Sequence, residues 1–207
     1  MRSKLMLIAL LGLAILPCAG QTSGGGSKKT GDSVLDKFDF GLTFTDKYAK
    51  ISNTDGTYFN LPGGSLDAAY TFNKWDRRWA VAADFQGEAS TQPITLGYGL
   101  KQISFVVGPR YTVWRQKNAE RKSNFYAQAL VGGMHAWDSL FQSSPTAKGV
   151  TSANSFAFQC GGGLNLPVGK KVGLRVGEVD YILTKLPNAY NNFQGDVRFS
   201  TGLNFHF

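Results

Sequence analysis

Cysteine, histidine and long hydrophobic runs are scarce in this chain of 207 residues. The two cysteines are Cys18 and Cys160, and the two histidines are His135 and His206. So few thiols and imidazoles exclude a disulfide scaffold and a metal site built on clustered Cys and His. The one long apolar run, residues 5–16, is shorter than the roughly 20 residues of a membrane-spanning helix. Residence in a membrane would therefore require a closed β-barrel, which satisfies every backbone group in lipid.

The amino-terminal segment has the features of a secretory signal peptide. Arg2 and Lys4 form a positively charged start, the apolar run follows, and small residues favour cleavage near residue 20. Residues 21–36 then hold Ser, Gly, Lys and Asp with little apolar content. The sequence predicts a signal peptide over residues 1–20 and a flexible periplasmic lead-in over residues 21–36.

The basic charge does not indicate a nucleic-acid partner. The net charge is +8, and Lys and Arg collect in short segments near residues 74–78, 115–122 and 170–171. Charges in such turns are solvated and do not form the continuous basic face that nucleic-acid recognition needs. We expect neither a nucleic-acid partner nor a cofactor.

The last residues of the chain alternate clearly between apolar and polar side chains. One parity contains Val197, Phe199, Thr201, Leu203, Phe205 and Phe207, and the other contains Arg198, Ser200, Gly202, Asn204 and His206. A β-strand points successive side chains to opposite faces, so this segment has one apolar face and one polar face. In an exported protein the pattern is typical of a strand that faces lipid in an outer-membrane barrel.

Eight segments show this pattern to differing degrees. They cover residues 37–48, 64–72, 79–88, 101–114, 124–136, 155–168, 172–184 and 195–207. Each has about 9–14 residues, close to the length of a tilted membrane-crossing strand. The connections after even-numbered segments look short and those after odd-numbered segments look long, as between periplasmic turns and outer loops. The sequence predicts an all-β, eight-stranded antiparallel up-and-down transmembrane β-barrel over residues 37–207.

Tryptophan placement agrees with this topology. Trp75, Trp79 and Trp114 lie at predicted short turns, and Trp137 lies near the opposite end. Aromatic side chains of this kind form girdles at the two membrane interfaces.

Several short motifs occur in order along residues 37–207. They are Gly108-Pro-Arg-Tyr, Ala129-Leu-Val-Gly-Gly, Gly161-Gly-Gly-Leu-Asn, Arg175 with Val179-Asp-Tyr, and Thr201-Gly-Leu-Asn-Phe-His-Phe. With these motifs the chain resembles the small outer-membrane β-barrel proteins of the OmpA/OmpX type.

The resemblance implies a location in the outer membrane of a Gram-negative type of cell. It implies insertion by the barrel assembly machinery with periplasmic chaperones, through an assembly signal in the aromatic last strand at Phe205 and Phe207. It further implies contact with outer-membrane lipids and lipopolysaccharide, a monomer, and no enzymatic activity. We expect no periplasmic peptidoglycan-binding domain after the last strand.

Charged residues are predicted to point into the barrel. The inward parity contains Asp39, Asp67, Asp84, Arg110 and Arg198. Arg175, Glu178 and Asp180 join them if a β-bulge lies near Gly177. Eight strands enclose a lumen that side chains can fill. Buried charges persist when paired, which favours a salt-bridged plug over the alternative of a proton or ion path.

Two other functions remain open at this point. A secreted lipocalin-like barrel would reverse the parity and bind an apolar ligand inside. A lipid A-modifying outer-membrane enzyme would need a catalytic set, for which His135, Asp138, Ser139 and Glu88 are the candidates. Spacing alone does not bring these four together, and a non-catalytic protein is the favoured prediction.

Overall fold

Eight antiparallel strands form a closed barrel in the computed structural model, which describes residues 37–50, 58–72, 77–95, 98–116, 123–189 and 192–206. The strands are β1 (Phe38–Lys50), β2 (Tyr58–Thr71), β3 (Trp79–Thr95), β4 (Tyr98–Arg115), β5 (Asn124–Phe141), β6 (Val150–Pro167), β7 (Val172–Thr184) and β8 (Gln194–His206). Each strand pairs with its sequence neighbours, and β8 pairs with β1. The predicted fold class is confirmed. The predicted signal peptide and lead-in, Trp75 and Phe207 lie outside the described residues.

The two ends of the barrel differ in construction. The lower end carries the start of β1, the end of β8, and the connections β2–β3, β4–β5 and β6–β7. The upper end carries the other four connections. Strands β3 to β6 have 17 or 18 residues, whereas β1, β7 and β8 have 13. The additional residues of the long strands lie at the upper end.

The predicted alternation of short and long connections is wrong, because β3 to β6 extend into segments that the sequence assigns to loops. Where the sequence predicts a long loop after the third strand, β3 and β4 continue and only residues 96–97 join them. The upper segments of β3 and β6, residues 89–95 and 150–154, carry Ser, Thr, Gln and Asn at neighbouring positions. They lack the apolar alternation that marks a lipid-facing strand, yet their backbones still form ladder hydrogen bonds.

Side chains alternate between an apolar outer face and a polar interior. Along β1, Leu42 and Phe44 are exposed, whereas Thr43, Thr45 and Lys47 are buried. The other strands repeat this arrangement with exposed outward residues that include Phe85, Phe105, Phe156, Phe199 and Leu203. The lipocalin-like alternative requires the reverse orientation and is wrong. The described residues contain no helix that is long and apolar enough to cross a membrane.

A register shift in β7 brings its charges to one face. Against β8, the pairing changes between Arg175 and Glu178. Val176 is exposed on the outer face, and Arg175 and Glu178 are both buried inside although they differ in parity. This is the effect of a bulge, which adds one residue to one strand of a pair.

Candidate functional site in the barrel interior

Asp67 on β2 lies at the centre of a set of ion pairs in the lower half of the interior. Arg175 on β7 donates from Nη1 to Asp67 Oδ2 at 2.7 Å and from Nη2 to Oδ1 at 3.1 Å. Arg110 on β4 donates from Nη2 to Asp67 Oδ1 at 3.0 Å. Glycine at position 41 makes this approach possible, because a Cβ there would collide with the Asp67 carboxylate. Two arginines from different strands thus share one aspartate.

Glu178 and Tyr126 complete this arrangement. Arg175 Nη1 donates to Glu178 Oε2 at 2.9 Å, and the Tyr126 hydroxyl donates to the same oxygen at 2.8 Å. Gln128 Nε2 donates to Glu178 Oε1 at 2.7 Å. The Arg110 guanidinium lies 4.4 Å from the centroid of the Tyr126 ring, in a cation–π contact. We call Asp67, Arg110, Tyr126, Arg175 and Glu178 the lower charge group.

Arg198 on β8 lies at the centre of a second set, farther from the lower end. Its Nη2 donates to Asp180 Oδ2 at 2.7 Å and to Asp84 Oδ2 at 3.0 Å. Gln86 Nε2 donates to the same Asp84 oxygen at 2.9 Å. Arg198 Nη2 also lies 4.0 Å from Glu178 Oε1, so the two sets are adjacent.

Lys47 extends the second set towards the upper end. Its Nζ lies 2.9 Å from Glu88 Oε2 and 4.0 Å from Asp196 Oδ2. Gln102 Nε2 donates to Glu88 Oε2. We call Lys47, Asp84, Glu88, Asp180, Asp196 and Arg198 the upper charge group.

Sequence reasoning missed Lys47 and Asp196 in this group. Parity was a usable signal: Lys47 continues the inward row of Thr43 and Thr45, and Asp196 precedes Arg198 by two residues. From the sequence, Glu88 is expected at the top of its strand, as a catalytic candidate. Its side chain instead points inward and is buried.

Asp39 lies outside both charge groups, contrary to its predicted place in the network. It pairs with His206 at the lower rim, where the two side chains are 37% and 40% exposed. His206 Nε2 lies 2.7 Å from Asn204 Nδ2. Asp39 has the inward parity, but as the second residue of β1 it lies at the mouth of the barrel.

Apolar side chains fill part of the middle and upper interior between β4 and β6, beside the buried polar side chains of Gln102 and Ser104. The buried side chains there include Val106, Leu130, Met134, Ala136 and Phe141, and Leu186 packs against them from the β7–β8 connection. Charged groups thus occupy the lower and middle interior, and apolar groups fill part of its upper end.

The catalytic candidates do not form one site, because His135, Asp138 and Glu88 have different partners, and Ser139 follows Asp138 on β5. His135 Nδ1 lies 2.7 Å from Asn154 Oδ1, and its ring stacks on Trp137 on the outer face. Asp138 pairs with Lys101 at 2.5 Å, with both side chains half exposed. Glu88 faces the interior and pairs with Lys47. No cluster of three or more potential metal-ligating side chains occurs among the described residues.

The described interfacial aromatics lie at both ends. Trp79 and Trp114 are 41% and 51% exposed near lower-end connections, and Trp79 packs against Tyr111. Trp137 lies on the upper part of β5. Phe205 is half buried and pairs with Phe40 of β1 across the seam between the first and last strands.

Known structures share this fold at low sequence identity. The barrel is similar to Neisserial surface protein A, with 16% identity, 83% of this chain and 97% of that chain covered, and a TM-score of 0.55. It is also similar to Ail, the attachment invasion locus protein of Yersinia pestis, with 18% identity, 83% and 99% coverage, and a TM-score of 0.51. No protein-family model and no curated protein sequence matches the chain. The chain therefore has the fold of the small eight-stranded outer-membrane barrels.

Proposed function

We propose that this protein is an integral outer-membrane β-barrel of a Gram-negative type of cell, exported with a signal peptide over residues 1–20 that is then removed. One observation carries the proposal: an exposed apolar belt surrounds an interior filled with ion pairs. Leu42, Phe44, Phe85, Phe105 and Phe199 are each between 49% and 60% exposed. So much apolar surface suits lipid contact and would be unfavourable in water.

Fractionation and gel migration test the location and the closed fold. The protein should appear in the outer-membrane fraction, and an unboiled sample should migrate differently from a boiled one on an SDS gel. A closed barrel leaves no free edge through its membrane-crossing part, which is the reason for its resistance to detergent. Recovery as a soluble periplasmic protein, with identical migration of the two samples, would refute the proposal.

The role we propose for the interior is a plug. Ion pairs cross the lumen from β2 to β7 and from β3 to β8, at 2.7–3.0 Å. Apolar side chains lie above these ion pairs. We therefore propose a structural or surface-interaction role, or at most a narrow channel, and no catalytic activity. The refolded protein in planar bilayers should show little or no steady conductance. A large and stable conductance would identify an open pore instead.

The proposed partners follow from the location. They are outer-membrane lipids and lipopolysaccharide around a monomeric barrel, and the barrel assembly machinery with periplasmic chaperones during export. The last strand, with Phe205 and Phe207, is the proposed assembly signal.

Deletion of Phe207 tests that signal. We expect a lower level of protein in the outer membrane and degradation in the periplasm, measured by quantitative blotting of fractions. Deletion of Thr30, which lies in the lead-in away from the proposed cleavage site, is the control. Equal outer-membrane levels of the two variants would remove the role assigned to Phe207.

A further inference from the structure

An apolar groove lies on the outer face of the barrel, close to its lower end. It extends from the end of β2 to β4, has a volume of about 410 Å³, and is lined by Phe72, Trp79, Ala80, Val81 and Pro109. This volume is in the range of small-ligand sites, about 300–1,000 Å³. Every residue that lines the groove is apolar, so the groove suits a hydrocarbon chain.

The two aromatic rings of the groove pack against different neighbours. Phe72 N donates to Trp79 O at 2.9 Å, so the two residues are adjacent across the β2–β3 hairpin. The centroid of the Phe72 ring lies 5.7 Å from that of Tyr70. The centroid of the Trp79 ring lies 4.9 Å from that of Tyr111. Because each ring is held by its own neighbour, the two rings form walls of the groove and do not fill it.

Arginines from two hairpins meet at the lower rim, beside this groove. Arg78 Nη1 donates to Val113 O at 3.3 Å, and Arg115 Nη2 donates to Arg77 O at 2.9 Å. Each bond joins the β2–β3 connection to the end of β4, so the two bonds hold these arginines in one region. Arg78 directly precedes Trp79, which lines the groove.

The chain around these arginines is rich in positive charge. Residues 73–78 and 115–122, which include the β2–β3 and β4–β5 connections, contain seven Lys or Arg and two Asp or Glu. The described residues 77–81 and 109–116 contain no acidic side chain. Arginine presents its N–H groups in a planar fork that matches the oxygens of a phosphate. An apolar groove that ends beside such cations has the two features needed to hold an anionic lipid.

We propose that this site binds one anionic phospholipid of the periplasmic leaflet, with an acyl chain in the groove and the phosphate at Arg78 and Arg115. The proposal rests on the proposed function, because the lower end lies at the periplasmic leaflet only in an outer-membrane barrel. That leaflet consists of phospholipids. Basic side chains close to a membrane attract anionic headgroups.

Other membrane lipids suit the site less well. The ammonium group of a phosphatidylethanolamine headgroup would lie among like charges, which disfavours it. Phosphatidylglycerol has the same phosphodiester without that cation. Lipopolysaccharide belongs to the opposite leaflet, at the upper end of the barrel.

Quenching of Trp79 fluorescence by brominated lipids tests the proposal, because Trp79 lines the groove. Trp75, Trp114 and Trp137 are replaced by Phe, which leaves Trp79 as the one tryptophan of the full-length chain. The protein is refolded into phosphatidylcholine nanodiscs with a fixed fraction of brominated phosphatidylglycerol or of brominated phosphatidylcholine. Bromine quenches tryptophan at close range, so the quenching reports which lipid occupies the groove. We expect phosphatidylglycerol to be preferred by about fivefold at low salt, and by less at high salt.

Three further variants in this background locate the site. Arg78→Gln with Arg115→Gln should make the quenching by the two lipids nearly equal. Lys170→Gln with Lys171→Gln removes the same charge from the β6–β7 connection at the same end, and should leave the preference unchanged. Val81→Phe narrows the groove and should lower the quenching by both lipids. Heat-dependent gel migration shows that each variant has folded.

Four results would overturn the proposal: equal quenching by the two lipids, an unchanged preference in the arginine variant, an equal loss of preference in the lysine variant, or full quenching in Val81→Phe. The comparison of the two lipids needs no charge variant, so it decides the question even if the arginine variant does not fold. A dimer in light scattering that shields Trp79 from both lipids would assign the groove to a second copy instead. Failure of the proposed function is separate, because it would appear as a soluble protein in fractionation.

Discussion

Arg175 and Arg198 lie in the same interior, yet their surroundings differ. In the lower charge group, Arg175 uses Nε, Nη1 and Nη2 as donors, and both oxygens of Asp67 and of Glu178 accept hydrogen bonds. In the upper charge group, Arg198 donates only from Nη2. Its Nε and Nη1 have no hydrogen-bond partner among the described residues, and the same holds for Asp84 Oδ1.

The two groups also differ in formal charge. The lower group sets two carboxylates against two arginines, whereas the upper group sets four carboxylates against Arg198 and Lys47. Buried polar atoms are normally satisfied by protein or by water. The lower group is therefore complete within the protein, whereas the upper group has hydrogen-bonding capacity that water can fill. Substitutions should therefore cost more in the lower group.

The largest effect is expected for Arg175→Ala. It removes donors from Asp67 and Glu178 in a part of the interior where protein groups supply every bond. Breaking a buried ion pair by truncating one partner costs about 3–5 kcal/mol. The urea midpoint of unfolding in detergent or lipid should fall far below that of Lys170→Ala, an exposed turn control. Equal midpoints would show that the lower group does not hold the barrel together.

A smaller loss is expected for Arg198→Ala. Asp84 and Asp180 lose their cation, but water that reaches the upper group can solvate them in part. A loss on the order of 1–3 kcal/mol is typical of a buried group left partly unsatisfied. The same urea titration measures it. A loss as large as that of Arg175→Ala would contradict the difference between the two groups.

The smallest effects on stability are expected for substitutions of two threonines on β1 whose side chains both point into the barrel. Thr43 Oγ1 lies 2.7 Å from Ser65 Oγ, whereas Thr45 Oγ1 has no hydrogen-bond partner among the described residues. Thr43→Val should cost about 1 kcal/mol because it breaks that bond. Thr45→Val should change stability by less than about 0.5 kcal/mol. A larger loss for Thr45→Val would mean that its hydroxyl takes part in an essential bond.

The half of the barrel that carries the apolar belt could be predicted from the sequence, because its residues alternate strictly between apolar and polar side chains. The ends of β7 were predicted to the residue, and Gly177 marked the change of parity between Arg175 and Glu178. The odd or even position of a residue in the alternation indicates which face of the strand its side chain is on. It does not indicate at what height in the barrel the partner of that side chain lies. Asp39 was therefore placed in the network although it is at the rim.

The upper half could not be predicted in the same way. Above the apolar belt the sequences of these strands no longer alternate strictly between apolar and polar residues, so periodicity does not separate strand from loop. The contacts between the β7–β8 connection and residues 142–143 use the backbone carbonyls of Gln142 and Ser143, so the side chains of these two residues do not predict the contacts. Lys47 and Glu88 lie where the two regions meet, which explains why their pairing was missed.

The pairing of β1 with β8 also determines the stage of folding at which the interior ion pairs can form. Asp39 and His206 meet across a separation of 167 residues, whereas every other strand pairs with a sequence neighbour. Contacts this distant in the chain form late in folding, because closing a long loop costs entropy before the contact stabilises anything. The Arg175–Asp67 and Arg198–Asp84 pairs span 108 and 114 residues, and they too need the sheet curved shut. An unfinished barrel therefore exposes unpaired charges together with unpaired strand edges, and its folding should end in one slow, cooperative closure step.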